Sequence, residues 1–456
     1  MNIVILGAGE LGSYLASVLA KDEHNVTIID KDPQRLEKVS EGADIATLVG
    51  YGSRWKILDE LLEFEPDIFI AMTGDDETNL VSCAIAKNLG YPKTVARVKE
   101  IGFLARSRID FGRLFYVDHF IGAEVLAAND ILKLIVNPKD LLVENFAHGA
   151  IQMRTLTIPT NFDKQNILLK DLKIPNEMII GLIKRKKINP KNTEEVLDEV
   201  IFPHGEDFIQ AGDEVTIVGD SSFLKDIDAF FKIEKIKLEN ITIVGATAVG
   251  VRLAHILELR NINVKIIEID KKRCEEVADL LPNSTILNED ATNIDFLNSE
   301  QIQNDDAFVC TTNVDARNFL IANIARDLKC RKVISLISNT EFAPLLQKNN
   351  IKFSVSERIN IANRILSILH EDTLISIATL VENKAKVMEL SVSEDSKIVG
   401  IPLSDLSNKL PKNLLITAIE NRGRIMIGKG NRILSPGDTV IVITSPEIAL
   451  KLTEIF

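Results

Sequence analysis

The chain has 456 residues, enough for about three or four domains at roughly 100–200 residues each. Hydrophobic residues make up 46%, charged residues 26% and aromatics only 5%, the composition of a soluble globular protein whose buried parts are mainly Ile, Leu and Val. A net charge of −13 excludes a general binder of nucleic-acid backbones and direct adsorption to anionic lipid, since both need Lys and Arg surfaces.

The N-terminal run Met1–Leu6 lacks a basic segment and enters a glycine turn directly, so it reads as a buried strand and not an export signal. Gly7-Ala8-Gly9-Glu10-Leu11-Gly12 fits G-x-G-x-x-G, and a helix is expected over 11–20. Asp30 ends the next strand, 18 residues beyond Gly12, near the spacing of about 20 seen in dinucleotide-binding units. Each residue has a physical part in that reading. Gly7 permits the tight turn, Gly9 lets a pyrophosphate approach the backbone, and Gly12 lets helix and strand pack closely. The helix N-terminus offers free N–H groups to phosphate. Asp30 can accept both hydroxyls of an adenosine ribose and would repel a 2′-phosphate, which favours NAD over NADP. The competing reading is a structural turn with no ligand.

Ligands of such sheets sit at the carboxyl ends of the strands. Val49-Gly50-Tyr51-Gly52 ends the third strand, Thr73-Gly74-Asp75 the fourth, and Arg97 the fifth. A lone arginine on an apolar strand needs an anionic partner, either a ligand phosphate or a structural carboxylate. Val117-Asp118-His119 reads as a strand exit with a helix cap, and 123–136 as an amphipathic helix. A region of short strands follows. It includes Gln152–Ile158, a lysine-rich stretch at Lys184–Lys187 expected to be a solvated hairpin, and a Gly212-Asp213 turn into a β-branched strand.

The pattern then repeats. Gly7, Gly12, Asp30 and Asp32 recur as Gly245, Gly250, Glu268 and Asp270, every pair separated by 238 positions. The second glycine segment is Gly245-Ala246-Thr247-Ala248-Val249, with Thr247 where Gly9 stands, so its pyrophosphate approach is crowded. Asn313 matches Gly74, and Leu336 matches Arg97. An amphipathic stretch at Ile359–Ser367, a strand at Lys386–Val392 and a Gly437-Asp438 turn complete the second half. The organisation is therefore α/β, small β-rich, α/β, small β-rich, at 1–137, 138–234, 235–372 and 373–456.

Candidate catalytic chemistry is sparse. Cys83, Cys274, Cys310 and Cys330 form no C-x-x-C pair and lie at no metal-ligand spacing to histidine, and free thiols suggest a reducing compartment. Of six histidines, His24 falls in a turn, His148 and His204 in the first small region, and His255 and His370 on helical patterns; only His119 lies near a strand end. No G-x-x-x-x-G-K-[ST] loop, serine elbow or H-E-x-x-H helix occurs, and no stretch of 18 uncharged apolar residues could span a membrane. A non-enzymatic nucleotide sensor is the preferred reading. The alternative is an NAD-dependent oxidoreductase using Cys83 or His119 on a small substrate.

Ile3–Gly12, Asp30-Lys31-Asp32, Leu48–Ser53, Met72–Val81, Ala96-Arg97-Val98 and Val117-Asp118-His119 closely resemble the regulatory subunits of Trk-type potassium uptake systems. The resemblance covers essentially the whole chain. It implies two Rossmann-like doubly wound parallel-sheet domains (RCK-N), each followed by a small α+β RCK-C domain. It also implies a cytoplasmic homo-oligomeric ring, dimer or tetramer, on the inner face of the cell membrane beneath an integral-membrane transporter that it gates. On that pattern Gly7, Ala8, Gly9, Glu10, Leu11, Gly12, Asp30, Thr73, Gly74 and Arg97 would hold NAD(H), with Gly50 and Tyr51 beside them. Gly245, Ala246, Thr247, Ala248, Val249, Glu268 and Asn313 would form a weaker second site for NAD(H), ATP or ADP. ATP-dependent relatives tend to carry arginine at the position of Glu10, so Glu10 favours NAD(H). The helices 123–136 and 359–367 are expected to cross to a neighbouring unit.

Overall fold

In the computed structural model, β1 (Asn2–Leu6) carries a run of apolar side chains from Ile3 onward, every one of them buried. Such a run fits a strand covered on both faces, and β1 lies between β2 (Asn25–Asp30) and β4 (Ile68–Ala71), parallel to both. Adding β3 (Ala46–Val49), β5 (Lys93–Arg97) and β6 (His119–Ile121) gives a six-stranded parallel sheet in the order β3-β2-β1-β4-β5-β6. That is the doubly wound dinucleotide-binding order, whose switch point lies between β1 and β4. The structure describes residues 1–456 except 43, 105–107, 137–139, 190–191, 225–226, 234–237, 370–373, 381–383, 409, 412, 422, 450 and 453–454.

An antiparallel sheet follows, built from β7 (Asp140–Phe146), β8 (Ile151–Thr157), β9 (Met178–Asn189), β10 (Asn192–Ile201) and β11 (Glu214–Asp220), in the order β10-β9-β11-β8-β7. The second half repeats both sheets. β12 (Asn240–Val244), β13 (Asn263–Glu268), β14 (Thr285–Asn288), β15 (Ala307–Cys310), β16 (Val333–Ile337) and β17 (Phe353–Ser356) reproduce the parallel order. β18 (Leu374–Leu380), β19 (Ala385–Ser391), β20 (Leu414–Asn421), β21 (Arg424–Ile427) and β22 (Thr439–Thr444) reproduce the antiparallel one. The expected fold class and its alternation along the chain are therefore present. The expected boundaries at 137/138, 234/235 and 372/373, and His370, lie outside the described residues.

Two compact units arise, and each draws on both halves of the chain. One combines residues 1–131 with 239–362 and holds both parallel sheets. The other combines 132–238 with 363–456 and holds both antiparallel sheets. In this second unit one apolar core joins Phe146, Ile151, Met153 and Leu182 of the first half to Val387, Ala418, Ile441 and Ile443 of the second. Buried Glu389 accepts hydrogen bonds from the Ala147 N–H (2.7 Å) and the Ser376 hydroxyl (2.7 Å), so its charge is solvated from within.

Two local expectations need correction. The stretch Lys184–Lys187 lies in β9, paired with β10, but only Lys186 and Lys187 face solvent. Lys184 and Arg185 are buried because carboxylates meet them there. Arg185 grips Asp213 through two hydrogen bonds of 3.0 and 2.7 Å, and Lys184 pairs with Asp198 and Glu214. Asp118 does not end a strand or cap a helix. It precedes β6 and accepts from the Thr94 N–H (2.8 Å) and Lys87 Nζ (2.7 Å), so it fastens the entry of that strand.

Candidate nucleotide site

The glycine loop leaves the carboxyl end of β1 at the switch point. Gly7 has φ +105°, and a Cβ there would stand 3.0 Å from the Thr73 amide nitrogen. A Cβ on Gly12 would stand 1.9 Å from the Gly7 carbonyl oxygen. Both glycines are therefore required by the fold itself. Gly9 differs. Its backbone is extended (φ −72°, ψ −177°), a conformation open to any residue, and a Cβ there would meet nothing within 4 Å. Packing does not explain this glycine, whereas a ligand lying against the backbone would. The helix Glu10–Lys21 begins immediately after it with no side-chain cap, so its first N–H groups face the same space.

Asp30 is 7% exposed, and both of its oxygens are engaged by backbone. One accepts from the Ala8 N–H (2.6 Å) and the other from the Asp32 N–H (2.9 Å). Each carboxylate oxygen has a second lone pair, so ribose hydroxyls can still be accepted. Asp30 thus also builds the loop. Gly50 donates its N–H to the Asp30 carbonyl (2.8 Å) and packs on Ile57, while exposed Tyr51 stacks under the Arg54 guanidinium. Leu11 follows Glu10 in the first helical turn.

Across the switch point the turn after β4 is locked by Asn79, which is fully buried. Its carboxamide oxygen accepts from the Thr73 N–H (3.0 Å) and hydroxyl (2.7 Å), and its NH₂ donates to the Thr73 and Arg97 carbonyls. Asp75 caps the helix Asp76–Leu89 by accepting from the Thr78 N–H, and Asp76 accepts from the Lys99 and Glu100 N–H groups. The Asp-Glu-Thr-Asn segment is therefore a set of backbone fasteners that holds Thr73 and Gly74 beside the loop. Lys99 Nζ donates to the Gly74 carbonyl (2.6 Å) and puts a cation there that the sequence reading did not assign.

Arg97 does not stand alone. Its Nη2 lies 2.9 Å from Glu124 Oε1, with both side chains nearly buried, so its anionic partner in this structure is a carboxylate of its own fold. Glu10 is also paired, and from the other copy: Arg358 Nη2 lies 3.0 Å from Glu10 Oε2. The repulsion of phosphate expected from Glu10 is thereby offset. Glu357, next to Arg358, is half-buried and has a carboxyl pushed up to about 7. Burial is the main cause, followed by the charge of Glu124, while Arg97 acts in the opposite direction and Asp315 and Glu10 add to the rise.

The second glycine loop has the same frame. Gly245 (φ +99°) and Gly250 are again required sterically, and Glu268 accepts from the Ala246 N–H (2.8 Å) and Asp270 N–H (3.0 Å) as Asp30 does. Asn318 repeats Asn79, tying Thr312 to Leu336. Thr247 changes the chemistry. Its hydroxyl caps the helix Ala248–Glu258 by accepting from the Gly250 N–H (3.2 Å) and donates to the Thr311 carbonyl (2.8 Å). The side chain thus takes a helix N–H group that the first copy leaves without a side-chain cap. A cleft of about 190 Å³ remains, lined among others by Gly245, Thr247, Glu268, Asn313 and Arg317. Ala246, Ala248 and Val249 complete the loop without polar side chains.

Cys83 is fully buried, its thiol pushed up by burial and hydrogen-bonded to the Val95 carbonyl. A thiol so placed is neither nucleophile nor redox centre. His119 sits half-buried within β6, paired with Val95. Among the described residues no three His, Cys, Asp or Glu side chains are grouped to hold a metal, and no helix is long and apolar enough to cross a membrane.

A TrkA-N domain family model matches residues 3–106 and 241–357, and a TrkA-C domain model matches 387–456. The chain is 31% identical over the full length of both proteins to the Trk system potassium uptake protein TrkA homolog 2 of Methanosarcina mazei. It is 30% identical, again over the full length of both, to the TrkA homolog of Archaeoglobus fulgidus. Among solved structures, the GsuK channel bound to NAD superposes with a TM-score of 0.62 at 17% identity, over 100% of this chain and 78% of that one.

Proposed function

The chain belongs to the TrkA family, and on that premise we propose that it is a nucleotide-binding regulatory subunit of a potassium uptake transporter, holding NAD(H) in the first glycine loop. The observation that carries this reading is the open space at Gly9, set between two glycines that the fold needs and above an uncapped helix N-terminus. The pyrophosphate of NAD(H) lies against that backbone, and Asp30 receives the adenosine ribose. GsuK, a channel of the same fold, has been solved bound to NAD and bound to ADP, which supports an adenine nucleotide as the ligand. The second loop, with Thr247 in place of Gly9, holds NAD(H), ATP or ADP more weakly.

The subunit assembles as a homo-oligomeric ring on the cytoplasmic face of the membrane and gates an integral-membrane partner. Binding acts by favouring one arrangement of the ring, and it can shift that equilibrium only by the difference in affinity between the two arrangements. No catalytic step is required, which agrees with the inert Cys83. The test is potassium flux into proteoliposomes containing the transporter and this chain. Flux should respond to NADH or NAD⁺ with wild-type protein and lose that response with Gly9→Thr. Flux indifferent to nucleotide, or turnover of NADH with a small hydroxy acid or aldehyde, would overturn the reading.

A further inference from the structure

We propose that Arg358, carried by the second α/β copy, is a phosphate ligand of the nucleotide bound in the first. The inference rests on the nucleotide reading above and adds to it a residue from 348 positions away.

The guanidinium meets Glu10, the first residue of the helix Glu10–Lys21 and the one that follows Gly9 in the chain, and its charge also reaches Tyr14 one turn further on. A cation at a helix N-terminus is disfavoured by the helix dipole unless an anion intervenes. In this structure the anion is Glu10, and the pairing is uneven. The Arg358 side chain is 18% exposed and that of Glu10 72% exposed, joined by one contact of 3.0 Å. Arg358 Nε is shielded from solvent and has no hydrogen-bond partner among the described residues. So exposed a carboxylate holds such a partner weakly. A pyrophosphate brings more charge and several acceptor oxygens, and it matches the planar fork of arginine. Nucleotide in the first loop would therefore take the guanidinium from Glu10.

Register shows why the role falls to this position. Arg97 is opposite Ile121 on β6, and Leu336 is opposite Val355 on β17, so Arg358 occupies the place that Glu124 holds in the first copy. In the first copy the Arg97–Glu124 pair closes on itself. In the second the strand arginine is Leu336, and the helix carries the positive charge instead. The pair of copies is thus asymmetric: one lends its arginine, and the other, with the open glycine loop, receives it.

Calorimetric titration of the full chain with NADH, ADP and ATP tests this. Arg358→Ala should weaken each nucleotide about tenfold, the effect of one charge-assisted hydrogen bond. Arg358→Lys should recover part of that loss, because charge remains while the fork is lost. Glu10→Gln should tighten binding a few-fold by removing the competing carboxylate. Unchanged affinities in Arg358→Ala and Arg358→Lys, with only a lowered melting temperature, would make Arg358 a clamp between the copies and overturn the proposal. Absence of binding to the wild type would instead overturn the nucleotide reading itself, so the two failures are distinct.

Discussion

At the scale of single residues, three glycines with the same sequence signature have different physical standing. Gly12→Ala would drive a methyl group to 1.9 Å from the Gly7 carbonyl oxygen, so that variant should fail to fold the first α/β copy, seen as lost helical signal or insoluble protein. Gly9→Thr installs the residue that the second copy already tolerates. It should keep the wild-type melting temperature while losing NAD(H) affinity about ten- to a hundredfold, since the hydroxyl takes one helix N–H group and the side chain crowds a phosphate away from the backbone. The converse, Thr247→Gly, should cost little stability, because glycine is an acceptable N-cap. It should strengthen nucleotide binding at the second loop, read as a second heat of binding. Asp30→Ala is a poorer probe: both Asp30 oxygens hold backbone N–H groups, so lost binding would be confounded with a disordered loop. The glycine spacing made Gly7 and Gly12 legible from sequence, because backbone geometry alone demands them. The partners of Arg97, Glu10 and Arg185 were not legible, because side chains far away in the chain supply them.

At the scale of elements, carboxylates decide how well the pieces hold. Arg185 on β9, expected in a solvated hairpin, forms a buried pair with Asp213 of the Gly212-Asp213 turn. Charge run alone gave that reading; the buried acid appears only once β11 lies beside β9. Asp213→Ala leaves Arg185 without its main counter-charge, and a cost of about 3–5 kcal/mol in chemical denaturation is expected. Glu357 gives a pH dependence of opposite origin. Its carboxyl, pushed up to about 7, keeps a proton that an unfolded glutamate releases near 4.5. Stability of the α/β unit should therefore be undiminished below about 4.5, fall as pH rises toward about 7, and stay lowered above it. Glu357→Gln should flatten that fall and raise the melting temperature at pH 8 by roughly 2–6 °C. A variant with the same pH profile as wild type would show that Glu357 is not the group responsible.

At the scale of the whole chain, duplication explains most of what the sequence revealed and some of what it hid. A constant spacing between the two glycine motifs disclosed two doubly wound sheets and two small β regions, because strand, turn and helix must recur together to rebuild a parallel sheet. It did not disclose that like associates with like, the two parallel sheets forming one unit and the two antiparallel sheets another. Nor did it point to Arg358, because the spacing slips between the fifth and sixth strands, and only the observed register matches that residue with Glu124. One loop of the pair leaves its backbone open at Gly9, and in the other Thr247 takes a helix N–H group, so the first should bind nucleotide more tightly. Calorimetric titration of wild type and Gly9→Thr with NADH tests it most directly. One tight site per chain is expected in the wild type and none in the variant, with Thr247→Gly adding a second site to the first. Equal binding by wild type and Gly9→Thr would contradict it.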